Sequence, residues 1–290
     1  MRIEELKTLL EQHQIRPTKA KGQNFLINDQ VLDKIIKAAD LKADDQVLEI
    51  GPGFGVLTER LLEKVSQVLV VELDLKLAKF LKYKFKKQAN FQLLNQDILR
   101  IKNLELQQKF ALAKKYKLVA NLPYAITKPV LRKFLTYDPK PEEIIVLVQK
   151  EVAQKIVAKK GKLNILGLTV QFYGRPQIID FVSQQSFYPQ PKVESAILKI
   201  KIYQSNIAPE VEKQLKDKNS FEEKKFWQLV KIGFSSPRKQ LKNNIVAGLQ
   251  LKPEEVKENL KELGLKEDIR AQDLDLKDWA NLHQKIMVVD

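Results

Sequence analysis

Between Gln46 and Gln149 the chain alternates two patterns of apolar positions. Short runs rich in Val, Ile and Leu end at Ile50, Val71, Asn95 and Ala120, and a fifth spans Ile144 to Gln149. Between them lie stretches with helical spacing, such as Val56 to Lys64 and Leu75 to Lys87. Strand-like runs separated by helical segments predict βαβ units and a parallel sheet. Upstream, a short amphipathic helix opens the chain, and Asp29 to Ala39 reads as another, with Val31, Leu32, Ile35 and Ile36 on one face. Downstream, Glu151 to Ala158 reads as helix, and Gln177 to Ser183 and Ser195 to Ile202 as β-rich runs.

After a linker at Gln204 to Pro209 the pattern turns helical. Ser220 with Glu223 forms a capping box for a helix through Phe234. A second helix begins in Ser235 to Lys242 and ends at Gly248. A third starts at Pro253 and stops at Gly264, and a fourth runs from Asp275 to Met287. The expected organisation is an α/β domain with an N-terminal extension over residues 1–205, then a small all-helical domain over 206–290.

The first of these strand-like runs feeds a turn with glycine at every second position, Glu49-Ile50-Gly51-Pro52-Gly53-Phe54-Gly55. Glycine lets a backbone take positive φ and approach a ligand closely. A dinucleotide fingerprint needs G-x-G-x-x-G, and here the third glycine comes one residue early. Glu49 would also place a carboxylate near a pyrophosphate. A ligand bearing a sulfonium and an ammonium has the opposite demand, which favours S-adenosylmethionine over NAD or ATP. A glycine-rich turn also closes ordinary βα loops, so Gly51 and Gly53 leave that reading open.

Polar residues follow the strand ends in turn: Glu72, Asp97 and Asn121. In an open α/β sheet those ends form the ligand crevice. Glu72 stands where an acid takes ribose hydroxyls, since a carboxylate accepts two hydrogen bonds from a vicinal diol. Asp97 can accept from an adenine amino group. Each acid alone is equally well a loop residue.

Asn121-Leu122-Pro123-Tyr124 is the chemically sharpest stretch. An exocyclic adenine nitrogen is a poor nucleophile because its lone pair is delocalised into the ring. An asparagine oxygen and a nearby main-chain carbonyl, held by a proline turn, can accept both N–H hydrogens and favour the tetrahedral nitrogen that attacks. Tyr124 offers a face for an unstacked base. The alternative is a proline-terminated strand with a core tyrosine. Phe187-Tyr188-Pro189-Gln190-Pro191-Lys192 could hold a base and its phosphate, or form a rigid hairpin connection. Asn24 and Leu26, in a lysine-bearing segment, could cover a cofactor.

Composition narrows the chemistry. The net charge of +15 implies a polyanionic partner, nucleic acid ahead of an acidic membrane surface. Arg238, Lys239 and Lys242 form a basic cluster suited to RNA backbone or to a solvated helix face. The absence of cysteine excludes disulfides, thiolate metal sites and a cysteine nucleophile. His13 and His283, near opposite ends, suggest neither triad nor metal cluster. No signal-peptide pattern or membrane-length apolar run appears, and a cytoplasmic protein is expected.

Six motifs stand in order: Gly22-Gln23-Asn24-Phe25-Leu26, Glu49 to Gly55, Val71-Glu72-Leu73-Asp74, Asn121 to Tyr124, Phe187 to Ser195, and Arg238 to Asn244. Together they resemble the ribosomal RNA adenine dimethyltransferases, in particular those acting on the small-subunit (16S) RNA. The resemblance implies a Rossmann-like S-adenosylmethionine-dependent methyltransferase fold and dimethylation of the N6 amino groups of two adjacent adenines. The implied substrate is small-subunit rRNA in a pre-ribosomal particle, the enzyme a monomer without metal. By motif, Asn24, Leu26, Gly51, Glu72, Asp97 and Asn121 would line the cofactor site. Asn121 and the Leu122 carbonyl would hold the amino group, with Tyr124 and Phe187 stacking the base. The family usually reads Asn-Leu-Pro-Tyr-Asn. Here Ala125 ends the motif and Lys128 replaces a small hydroxyl residue, so support of the turn or rate could suffer. Rival readings are a macrolide-resistance type acting on large-subunit RNA and a non-catalytic assembly factor. NAD-dependent chemistry finds no catalytic His or Lys constellation.

Overall fold

The computed structural model describes residues 2–15, 17, 23–110, 115–215 and 221–287. Gly22 of the first motif, Ser220 of the expected capping box and the lysines just before Gly22 lie outside the described residues. The elements run α1 (Ile3–Gln12), β1 (Phe25–Leu26), α2 (Asp29–Ala39), β2 (Gln46–Ile50), α3 (Val56–Leu62), β3 (Gln67–Val71), α4 (Leu75–Lys84) and β4 (Phe91–Leu94). Then come α5 (Asn103–Phe110), β5 (Lys117–Asn121), α6 (Thr127–Thr136), β6 (Glu143–Gln149), α7 (Lys150–Ile156), α8 (Ile165–Tyr173), β7 (Gly174–Val182), β8 (Phe187–Tyr188) and β9 (Ser195–Ile202). The remainder is α9 (Pro209–Glu212), α10 (Glu223–Gly233), α11 (Leu241–Leu249), α12 (Pro253–Glu262) and α13 (Leu276–Met287).

The chain divides into two compact units, Met1–Ala153 with Arg175–Ile202, and Gln154–Gly174 with Tyr203–Asp290. The first is built on a sheet of order β4-β3-β2-β5-β6-β9-β7. From β4 to β6 neighbouring strands are parallel, and β9 runs antiparallel to β6 with Gln149 opposite Ser195. This is a Rossmann-like arrangement. Strand order reverses between β2 and β5, which opens a crevice at their carboxyl ends. Val47, Leu48 and Ile50 are fully buried because helices cover both faces of a parallel sheet.

Local caps fix where helices begin. Asn28 Oδ1 accepts from the Gln30 and Val31 amides at 3.0 and 3.4 Å, starting α2. Asp74 Oδ1 does the same for α4, from Lys76 and Leu77. At the opposite end of the sheet, Lys117 Nζ donates to the Ala39 and Asp40 carbonyls and meets Asp45 Oδ2 at 2.7 Å, tying β5 to the end of α2. A two-stranded flap pairs β1 with β8, Phe25 opposite Tyr188 and Leu26 opposite Phe187. Leu6, Leu10 and Ile15, from α1 and the residues after it, pack with Phe25, Phe54 and Leu77 beneath that flap.

The second unit is helical. Phe226, Leu229 and Val230 of α10, Leu241 and Ile245 of α11, and Trp279 and Leu282 of α13 are fully buried. Phe172 of α8 lies 5.2 Å from Phe226, ring centre to ring centre. Three details differ from the sequence expectation. Helix α10 opens with Glu222 as N-cap and no side-chain cap, so Glu223 is its first residue rather than the third of a capping box. Helix α4 stops at Lys84, where Phe85 leaves helical geometry and turns inward. Arg238 and Lys239 sit in the turn before α11, not on it.

Candidate functional site

The glycine turn after β2 sits between two segments remote in sequence. Gly51 and Gly53 have φ of +66° and +61°, the left-handed region that side chains rarely adopt. A Cβ on Gly53 would stand 2.9 Å from Phe25 Cδ1 of the flap, and one on Gly51 would stand 3.3 Å from Pro123 Cδ. The backbone is therefore clamped between flap and proline turn at a distance only glycine allows.

These three segments wall a cavity of about 330 Å³, within the range of small-ligand sites. Asn24, Leu26, Gly51, Gly53, Glu72, Asp97, Asn121, Leu122, Pro123 and Tyr124 all line it, as do Glu49 and Ala125. Leu73, Gln96, Ile98 and Leu99, which no sequence motif marks as ligand-binding, also line it. Their apolar members flank acids already singled out, so adjacency was the available signal.

Phe187 is not part of the lining. Its pairing with Leu26 turns the ring into the core, where it is 3% exposed among Leu26, Val31 and Val182. A ring so placed supports the flap and is not presented to the cavity. Lys192 is exposed in the loop between β8 and β9. Arg238 and Lys239 are exposed in the second unit, while Lys242 is half-buried and ion-paired with Glu267.

Glu49 and Glu72 are buried, and among the described residues neither has an ion-pair partner. Burial pushes the Glu49 carboxyl up to about 8; the hydrogen bond from Thr58 Oγ1, 2.6 Å from Oε2, resists the rise and the nearby Glu72 charge adds to it. Burial likewise pushes Glu72 up to about 7, with the amides of Asp74, Gly53 and Leu73 holding it lower and the Asp74 charge raising it. Two desolvated acids in one cavity call for a cationic ligand. That matches the ammonium and sulfonium of S-adenosylmethionine, so the donor set fits that cofactor. Asp97 Oδ1 accepts from the Leu99 amide at 2.9 Å and Oδ2 stands 3.6 Å from Arg100 Nε, and each oxygen keeps a further lone pair that can accept from a ligand.

Asn121 ends β5 with its Nδ2 donating to the Asn24 carbonyl at 3.1 Å. Since a carbonyl can only accept, the amide orientation is fixed, and Oδ1 is the atom left to accept from a ligand. The turn after it is closed by the Ile126 amide to the Pro123 carbonyl at 3.1 Å and by Thr127 Oγ1 to the same oxygen. The Tyr124 hydroxyl lies 2.6 Å from Ser195 Oγ, and burial raises the Tyr124 pKa. None of these contacts uses the side chain at 125, which is exposed.

No group of three or more His, Cys, Asp or Glu among the described residues could hold a metal ion. No helix among them is long and apolar enough to cross a membrane.

Comparison with known proteins agrees with this geometry. The chain is 43% identical over 277 residues to "Ribosomal RNA small subunit methyltransferase A" of Dehalococcoides mccartyi, covering 95% of this chain and 90% of the relative. It is 35% identical to the protein of the same name from Alkaliphilus metalliredigens, covering 97% and 95%. Among solved structures, a dimethyladenosine transferase from Plasmodium falciparum shares the fold with a TM-score of 0.74, at 24% identity over 91% of this chain and 98% of that one. The 23S rRNA methyltransferase ErmE does so with a TM-score of 0.69, at 23% identity over 91% and 100%. Residues 15–287 match the sequence profile described as Ribosomal RNA adenine dimethylase, and the chain belongs to that family.

Proposed function

We propose that this protein uses S-adenosylmethionine to dimethylate the N6 amino groups of two adjacent adenines in small-subunit rRNA, acting as a cytoplasmic monomer on a pre-ribosomal particle. The observation that carries the reading is the locked Asn121 amide, whose free oxygen stands at the wall of an acid-lined cavity. The bound cofactor supplies a methyl group on a sulfonium, an electrophile needing no metal. Glu49 balances the cofactor's positive charge, Glu72 takes its ribose hydroxyls and Asp97 its adenine amino group. Gly51 and Gly53 bring main chain close, and Asn24 and Leu26 cover it from the flap.

Asn121 Oδ1 and the Leu122 carbonyl accept the two N–H hydrogens of the target amine. That draws the nitrogen towards tetrahedral geometry and frees its lone pair for attack. Tyr124, pinned by Ser195, supports the base face, and Pro123 fixes the angle between the two acceptors. Positioning of this kind supplies rate without a dedicated general base. Residues 1–205 would carry this chemistry. Residues 206–290 would contact RNA through Arg238 and Lys239, and Lys192 of the first unit would meet phosphate.

Mass spectrometry of adenosines tests this, after incubating protein and S-adenosylmethionine with unmodified small-subunit particles, and with large-subunit RNA in parallel. Dimethyladenosine in small-subunit RNA alone is expected. Modification of the large-subunit RNA alone would move the protein to the resistance type. Binding without transfer would make it an assembly factor.

A further inference from the structure

Strand β7 closes one edge of the sheet and alternates in burial along its length. Asp180 is salt-bridged to Lys34 of α2 at 2.6 Å, whereas the flanking Ile179 and Phe181 are 38% and 45% exposed. A phenylalanine left open on an edge strand invites unwanted pairing unless something covers it. Lys150 Nζ stands 5.0 Å from the centre of the Phe181 ring and 2.6 Å from Glu194 Oε2. The carboxylate anchors the ammonium over one face of the ring, so a cation and a half-exposed aromatic ring are presented together.

Lys150 follows the carboxyl end of β6, which runs parallel to β5 with Leu147 opposite Asn121, so the pair stands at the same end of the sheet as Asn121. Glu194 precedes Ser195, whose hydroxyl holds Tyr124, and Lys150 follows Gln149, which is paired with Ser195 across the sheet. In the order β5-β6-β9-β7, the strand bearing Phe181 lies three strand spacings of ~4.8 Å from the one bearing Asn121, about 14 Å. At ~3.4 Å per stacked nucleotide, that spans no more than about four nucleotides.

We infer that Phe181, with Lys150 beside it, forms a stacking shelf for an unpaired nucleobase within four nucleotides of the adenine held at Asn121. The inference rests on the reading of the cavity as an adenine-methylating site. The ring face opposite the ammonium accepts any base, and the ammonium meets the phosphate that links it to the next. Tyr124 then supports the reacting base while Phe181 holds the strand that leads to it. Phe181 is thus a positioning residue that sets RNA affinity and register.

The test uses an RNA hairpin with two adjacent adenines in its loop and 2-aminopurine substituted singly at each of the four positions on either side. Stacking quenches 2-aminopurine fluorescence. Wild-type protein is expected to quench one flanking position. Phe181→Ala should abolish that quench and raise the hairpin Kd about five- to 150-fold, the range for loss of one base–aromatic stack. Phe181→Trp should retain both. An unchanged quench profile and Kd in Phe181→Ala, or no quenched flanking position in wild type, would overturn the inference. Fluorescence reads stacking without transfer. A wild-type protein that quenches through Phe181 yet yields no dimethyladenosine would therefore refute the proposed activity while leaving the shelf in place.

Discussion

Replacing Glu49 by glutamine should flatten the pH dependence of stability of the ligand-free protein. The Glu49 carboxyl is buried and its pKa stands at about 8, against 4.5 in an unfolded chain. A carboxyl raised in this way lends full stability below the unfolded pKa, and that stability is lost as pH climbs through the folded value. Above about pH 5.5 the unfolded chain has already released its proton, whereas the folded one holds it until the pH nears 8. At 1.36 kcal/mol per pH unit this costs the wild type roughly 3 kcal/mol over that window. Glutamine keeps the volume and can still accept from Thr58 but has no proton to lose. Urea denaturation at the two pH values measures the difference. Wild type should lose roughly 3 kcal/mol more than Glu49→Gln, with Glu72 contributing to a residual slope in both. Parallel pH profiles would show that Glu49 is ionised in the fold at neutral pH, and would refute the desolvation reasoning. S-adenosylmethionine, being cationic, favours the ionised pair, so its affinity for wild type should rise across the same window.

Other predictions follow from single contacts. Asn121→Ala should abolish methyl transfer while leaving cofactor binding weakened rather than lost, which single-turnover assays and calorimetry separate; full activity would sink the assigned chemistry. Gly53→Ala must hold φ of +61° and push its Cβ against Phe25, so it should cost about 1–3 kcal/mol in thermal denaturation and weaken cofactor binding. Lys117→Met removes a buried ammonium held by Asp45 and two carbonyls, and should destabilise by about 3 kcal/mol without changing cofactor affinity, since its contacts lie at the far end of the sheet.

The parts of the molecule readable from sequence are those where one physical signal dominates. Val47 to Ile50 reads as a buried strand because it is apolar enough to be covered on both faces, and the glycines after it mark the reversal point of the sheet. Asp29 to Ala39 shows both its bounds because a strong cap at Asn28 precedes a clean apolar stripe. Helix α8 escapes notice because Ile165 to Tyr173 is apolar on nearly every side, so no period stands out. The flap is two residues per strand, too short for any pattern, and only tertiary pairing reveals why Phe187 faces the core. Lys117 carries no sequence signal of its own, and three oxygens far away in sequence draw its ammonium inside. The basic cluster at Arg238 has a helix-forming composition, and Pro237 keeps its first residues in a turn.

The flap also sets a timetable for biosynthesis. Its hydrogen bond from Asn28 Nδ2 to Ser186 Oγ joins residues 158 apart, so the N-terminal strand has no partner until nearly two-thirds of the chain exists. At synthesis rates of about 5–20 residues per second, that is a wait of roughly 8 to 30 s. During it, the glycine turn and Asn121 can already be laid down in the growing sheet, but the cover from Asn24 to Leu26 cannot close. A nascent chain arrested before residue 187 would carry the Asn121 turn without the β1–β8 pairing. The capacity to retain a cofactor would thus arrive late, as a property of the nearly finished polypeptide.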